Sequence, residues 1–332
     1  MKRRMTAVLW ALAAIAGSVG LVRLTVVSNG EGAGRSRPEP TMEVSELAEE
    51  LEYTVRDLAL HIGQRNVGKF GSLRNARDWI ESWIHSLGLE ANIDEWVVNG
   101  QLCTNLEVVF PGVIAPTETV VIGTHYDSYR RSPSANATAS GTVALIELLE
   151  RLHDQTFTRT TKFVFFCNGE QPYRGTTDSG AIRYAREAFE RGERIVAMLA
   201  IGSLGSWSSA PDSQDFSFPW DMVLPETGDF VWMSGGPSSR ELLEAATRGW
   251  KISCELPVAS CAVPSWVPGM QEGDHDAFTK YGFPSVLVSD TGEARYSDIR
   301  TLYDQFHRVN YEGLSRVILQ LEKFVPVFVR DA

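Results

Sequence analysis

The stretch TVVIGTHYD, residues 119–127, opens on a β-branched apolar run and closes on a histidine and an aspartate. An apolar run of this length, without polar alternation, reads as a strand buried on both faces. A loop and a helical segment, Ala139 to Leu152, follow it. The same pattern recurs on either side. NLEVVF (105–110), KFVFFC (162–167), RIVAMLAIG (194–202), FVWMSG (230–235) and SVLVSD (285–290) read as further buried strands. Ala181 to Arg191, Arg240 to Gly249 and Tyr311 to Phe324 read as helices. Upstream, Val44, Leu47, Leu51, Val55, Leu58 and Leu60 recur at helical spacing from Met42. A second amphipathic helix spans Leu73 to Leu87 with Ala76, Trp79, Ile80 and Trp83, and Gly88 ends it. Strands alternating with helices predict one α/β domain over residues 42–328, with a mostly parallel sheet covered by helices on both faces.

In such a sheet the chemistry lies beyond the carboxyl ends of the strands. Those ends carry His125-Tyr126-Asp127-Ser128, Asn168-Gly169-Glu170 and Gly202-Ser203, and a late loop carries Gly273-Asp274-His275-Asp276. Histidine and carboxylates gathered there point to a metal site, with a hydrogen-bonded structural histidine as the plain alternative. HExxH, GxSxG, GxxxxGK[ST] and GxGxxG are all absent from the sequence, which removes motif support for the corresponding zincin, hydrolase, P-loop and dinucleotide sites. With 31 Lys and Arg against 42 Asp and Glu the formal charge is −11, so no nucleic-acid partner is expected.

The amino terminus has a different composition. Lys2, Arg3 and Arg4 precede an uncharged apolar run from Met5 to Val22, and the apolar character resumes after Arg23. Residues 1–27 therefore read as a signal anchor, or as a signal peptide with a small-residue cleavage site at Ala14-Ile15-Ala16. The basic flank orients the remainder outward. The expectation is a single-pass membrane protein with an exported carboxyl-terminal domain, or a secreted or periplasmic one if the signal is cut. Residues 28–41, rich in Gly, Pro, Ser and charge, read as a flexible linker.

From about residue 50 to 326 the chain resembles the zinc aminopeptidases of the aminopeptidase Y and bacterial leucyl aminopeptidase type, a group that also includes glutaminyl cyclases. The matching pieces are VVIGTHYDS, SPSANATASGTVALIELLERL, FVFFCNGEQP, RIVAMLAIGSLG, APDSQDFSFP, GDHDAFTKYGFPSVLVSDT and TLYDQFHRVNYEGLSRVI, in that order. The resemblance implies a three-layer α/β/α sandwich of the zinc-peptidase-like phosphorylase/hydrolase type, around a mixed, mostly parallel eight-stranded sheet. In active members it also implies a pair of zinc ions.

Active relatives use five ligand positions and a glutamate base. The first ligand corresponds to His125, supported by Asp127. Relatives carry a metal-bridging aspartate in a piece like ANDNASG, where this chain has Ala137. Their Glu-Glu pair, base then ligand, corresponds to Gly169 and Glu170. The fourth ligand position holds Gly202. In the pattern that relatives write like HTPEDTPDKLDY, the ligand histidine falls on Arg300. Two ligands, His125 and Glu170, are thus kept; three are replaced, and the base position offers no proton-carrying group. A catalytic zinc normally takes three protein ligands, and a guanidinium has no lone pair to give.

The resemblance therefore implies a pseudopeptidase that binds a peptide or protein in the former cleft and needs no cofactor. Transferrin receptor and nicastrin are precedents for such domains. The competing expectation is a zinc-dependent exopeptidase with a reduced or relocated site, drawing on Asp274 and His275, which otherwise serve as cleft support. Arg300 is expected to reach Glu170 or Asp127 in place of metal charge, with an unpartnered surface arginine as the alternative. Cys254 and Cys261, in a loop-like stretch, could pair in an exported chain, whereas Cys103 and Cys167 read as buried thiols. The aromatic segment from Trp207 to Phe230 reads as an insertion beside the cleft.

Overall fold

The computed structural model describes residues 20–332 other than 23, 36, 265, 266 and 268–272. Its strands are β1 (Val26–Asn29), β2 (Asn92–Val98), β3 (Gln101–Phe110), β4 (Ala115–His125), β5 (Arg159–Phe166), β6 (Ile195–Ile201), β7 (Val231–Gly235), β8 (Val258–Ala262) and β9 (Ser285–Ser289). The α-helices used below are α1 (Met42–Arg56), α2 (Phe70–Ser86), α3 (Ser140–Leu152), α4 (Gly180–Glu190), α5 (Arg240–Ser253), α6 (His275–Lys280) and α7 (Tyr311–Asp331).

One sheet runs in the order β1-β8-β7-β9-β6-β4-β5-β3-β2. Its centre, β5-β4-β6-β9, is parallel, and β7 pairs parallel with β8. The pairs β1/β8, β2/β3, β3/β5 and β7/β9 are antiparallel. The sheet is thus mixed, as expected, with nine strands where eight were expected.

Strand β4 shows how the apolar runs build three layers. Val120 and Ile122 belong to the larger core, and Val121 to the smaller core on the opposite face. Strand β6 divides likewise, with Ala197, Leu199 and Ile201 on one side and Met198 and Ala200 on the other. Helices α1, α2, α3, α5 and α7 contribute to the larger core; α4 and α6 contribute to the smaller one. A third cluster, with Phe216, Trp220, Phe230 and Trp232, covers the β7-β8 end of the sheet. Thr41 caps α1 by accepting the Val44 amide at 3.3 Å, and Asn310 caps α7 by accepting the Gly313 amide at 2.8 Å.

Three expectations change. Residues 26 and 27, assigned to the apolar anchor, lie in β1, where Val26 faces Cys261 across the pair and shields the β8 edge. Residues 28–38 are held to the domain. The Gly34 amide donates to both oxygens of buried Asp229 at 2.9 and 3.0 Å, the Arg37 guanidinium bonds to the Asp229 carbonyl and lies 5.0 Å over Trp207, and Arg316 donates to the Pro38 carbonyl at 2.9 Å. A polar segment has few side chains for a core, yet Ser28 donating to the Val258 carbonyl at 2.8 Å, Ala33 against the third cluster, its backbone and Arg37 hold it. Finally, Cys254 and Cys261 are free thiols. At the end of α5 Cys254 Sγ donates to the Gln320 carbonyl of α7, while Cys261 is buried in β8.

Residues 5–19 of the apolar run lie outside the described residues. Among the described residues no helix is long and apolar enough to cross a membrane.

Glu147 on α3 is buried with its carboxylate near Glu50 and Glu150, so desolvation first, then these like charges, push its pKa from 4.5 up to about 7 against the pull of Arg151. The folded chain therefore holds this proton more tightly than the unfolded one, and stability falls as pH rises from 4.5 to about 7. Thermal denaturation across that window should show a falling melting temperature for the native chain and a flatter one for Glu147→Gln.

Candidate functional site

The residues singled out in the sequence converge at the carboxyl edge of the parallel strands. His125 ends β4. Asp127 follows it, buried, and accepts the amides of Gly169 at 2.7 Å and Glu170 at 3.2 Å. This carboxylate ties the loop after β5 to the loop after β4. Burial first, and the neighbouring Glu170 charge, raise the Asp127 pKa to about 6 despite His125 and the two amides.

Glu170 is 2% exposed and faces two cations. Arg300 Nε donates to its Oε1 at 2.9 Å and Oε2 at 3.1 Å, and His125 Nε2 lies 3.9 Å from Oε1. Burial alone would raise the Glu170 pKa, but Arg300 and His125 together hold it at about 2. His125 Nδ1 pairs with Asp274 Oδ2 at 3.0 Å. Burial opposes a charged imidazole, yet Asp274, Glu170 and Asp127 raise its pKa to about 10. The two shifts favour an imidazolium at His125 and an ionised Glu170 beside the Arg300 guanidinium.

Arg300 is placed by its backbone. Its φ is +62°, and its amide donates to Asp304 Oδ2 at 3.2 Å. The same buried carboxylate accepts the amides of Asn136 at 2.7 Å and Ala137 at 3.1 Å. Asp304 therefore fixes both the Ala137 loop and the Arg300 turn. Ala137 puts only a methyl group where relatives bridge two metals.

The glycines at the replaced positions are spatially committed. A Cβ at Gly169 would sit 2.2 Å from His125 Cγ, so the ring occupies the space that a base at 169 would need. At Gly202 a Cβ would meet Ser289 Cβ at 3.1 Å and Leu287 Cδ1 at 3.2 Å, a tight but less severe fit.

His125, Ala137, Gly202, Asp274, Trp232 and Arg300 line a cavity of about 60 Å³. Asp274 reaches it, but His275 does not line it. The His275 ring is fully buried and, among the described residues, neither nitrogen has a hydrogen-bond partner; burial lowers its pKa. Asn136 is also buried, its side-chain amide donating to Asp290 Oδ2 at 2.9 Å.

This donor set does not fit a zinc pair. The two retained ligand positions are already engaged in ion pairs, a guanidinium lies on one of them, and the bridging position has no oxygen. Among the described residues no group of three or more His, Cys, Asp and Glu side chains is arranged to hold a metal ion.

Sequence reasoning did not single out Arg65 and Asp304. Arg65 is fully buried and donates to the carbonyls of Tyr126 at 2.7 Å and Pro133 at 2.8 Å and to Thr138 Oγ1 at 2.6 Å, joining the loops that carry Asp127 and Ala137. It lies in a polar stretch with no motif. Asp304 had a signal: it falls on the first aspartate of the HTPEDTPDKLDY pattern.

Two substitutions test this geometry. Arg300→Ala leaves buried Glu170 without its principal counter-charge and should cost about 3 kcal/mol in denaturant unfolding. Gly169→Glu, which reinstates the relatives' residue, should destabilise by at least about 2 kcal/mol because His125 must move; unchanged stability would show that the ring gives way freely.

Comparison with known proteins agrees with the fold. The chain is 26% identical over 279 residues to the uncharacterized protein YfbL of Escherichia coli K12, covering 81% of this chain and 85% of that one. Among solved structures it superposes on the LapA aminopeptidase of Legionella pneumophila with a TM-score of 0.64 at 15% identity, covering 90% of this chain and 77% of that one. The zinc aminopeptidase BSAP of Bacillus subtilis gives 0.64 at 13% identity, with 89% and 95% covered. The glutaminyl cyclase of Fimbriiglobus ruber gives 0.60 at 17% identity, with 88% and 99% covered. At these identities the structures speak for the shared fold. The profile of peptidase family M28 matches residues 107–325, the span holding His125, Ala137, Glu170, Gly202, Asp274 and Arg300, and the chain belongs to that family.

Proposed function

We propose that the domain is a peptidase-like binding module whose cleft takes up a peptide or protein segment without cutting it. The observation that carries this reading is the Arg300 guanidinium on Glu170, at 2.9 and 3.1 Å. A fixed cation on a ligand carboxylate opposes a metal cation there by charge and by occupancy. Gly169 supplies no proton-transfer group, a part that usually contributes about 100- to 10,000-fold in rate. The reading requires no cofactor. The cavity of about 60 Å³ suits one small group, so a bound segment would place a single side chain or terminus there and lie along the rim. The amino-terminal segment would carry the domain across a membrane, keeping it anchored, or releasing it if cleaved.

The alternative is a zinc-dependent exopeptidase with a relocated site built on Asp274 and His275. The buried His275 ring, away from the cavity lining, speaks against it.

Metal content of the purified full chain after equilibration with zinc, measured beside turnover of aminoacyl chromogenic substrates, separates the two. The binding module should retain far less than one zinc per chain and show no turnover. Stoichiometric zinc with turnover, both lost in His275→Ala, would establish the enzyme instead.

A further inference from the structure

We infer that the apolar rim formed by Leu24, Phe218, Met222 and Val223 is a bilayer-contact surface, on which the domain lies directly against zwitterionic lipid. The inference rests on the reading of the amino-terminal apolar run as a membrane anchor.

The four side chains are 74%, 64%, 63% and 41% exposed. They surround one buried joint. Trp220 is 4% exposed and its Nε1 donates to Thr25 Oγ1 at 2.9 Å. Leu21, Val22 and Val26 pack against the same cluster as Trp220. The insertion after β6 and the chain emerging from the apolar run are therefore fastened together, with the exposed apolar residues flanking the joint on both segments.

The length of chain outside the described residues gives the occupant. Leu21 and Val22 are already committed to the domain, which leaves residues 5–20 for the membrane. A helix that crosses the ~30 Å hydrocarbon core takes about 20 residues at about 1.5 Å each, and fewer than that are left. No slack follows it, because β1 is in the sheet and Gly34 and Arg37 are tied to Asp229. Leu24 lies four residues beyond residue 20, at most about 14 Å of chain. That reach compares with the ~5–8 Å thickness of each polar interfacial layer. A short span with a stapled exit draws the adjoining surface into the interface. Apolar side chains standing out there gain burial, as on interfacial helices. Exposed Asp221, between Trp220 and Met222, favours a zwitterionic over an anionic surface.

The same insertion also reaches the cleft. Phe216 lies 5.2 Å from Trp232, a residue lining the cavity, and the Asp215 amide donates to the Ala294 carbonyl at 2.7 Å in the loop beside it. The insertion that carries Phe218 and Met222 thus also braces the cleft wall.

The test uses the full chain reconstituted in phosphatidylcholine vesicles, with a bimane label at Phe218→Cys or Met222→Cys, quenched by lipids carrying a nitroxide near the headgroup. Val97→Cys is the comparison. It is 66% exposed, on β2, the strand at the opposite edge of the sheet from β1. Labelled native chain gives the background from Cys254. The expected result is loss of bimane fluorescence at positions 218 and 222 and none at 97. Vesicle-bound chain with equal quenching at all three positions would overturn the contact alone. Chain that fails to float with the vesicles would overturn the anchor reading and the contact with it.

Discussion

Buried carboxylates must meet positive charge, and the organisation of this cleft follows from where that charge comes from. Asp127, Glu170, Asp274 and Asp304 gather under the carboxyl edge of the parallel strands, all less than 9% exposed. Desolvating them without counter-charge would be prohibitive. Here side chains and amides supply it: His125 and Arg300 hold Glu170, while backbone amides hold Asp127 and Asp304. Arg65, buried beneath, adds a third cation through the field it exerts on Asp127 and Asp304. Each partner also positions a loop, so electrostatic satisfaction and loop geometry are one requirement.

The legible parts of the fold were those in which burial is total. The runs at 119–127, 162–167 and 194–202 lack polar alternation because both faces are covered, and their strands form the sheet centre. The strands without a sequence signal lie toward the edges. β2 carries Asp94 and Glu95 on an edge, β8 is a five-residue run of Val, Ala, Ser and Cys, and β1 hid at the end of the apolar run. A short strand of small residues is chosen by its neighbours rather than by its own propensity. Residues 28–38 show the same limit from the polar side, since Asp229, nearly two hundred positions away, holds them. Within the cleft, His125, Asp127, Glu170, Asp274 and Arg300 lie together, whereas Arg65 had nothing local to mark it. Its role exists only once Tyr126, Pro133 and Thr138 surround it.

The insertion and the amino-terminal strap bring order to a part of the molecule that composition alone describes as irregular. Trp207 lies between Arg37 at 5.0 Å and Arg295 at 5.6 Å, and Arg295 reaches on to the carbonyls of Ser206 and Phe230. Polar segments far apart in the chain are thereby fixed through cations on one aromatic ring. The cleft wall at Trp232 rests on this layer through Phe216.

The contact between Gly169 and His125 bears on how this sequence could change over time. The imidazole stands in the volume that any side chain at 169 would enter. A single codon change restoring an acid there meets a steric barrier before it meets chemistry. Relief requires His125 to turn, and His125 is held by Asp274 on one side and faces Glu170 on the other. Glu170 in turn is held by Arg300. Gly169 and Arg300 are thus coupled through His125 and Glu170, so neither replaced position can return to the relatives' residue without disturbing the other.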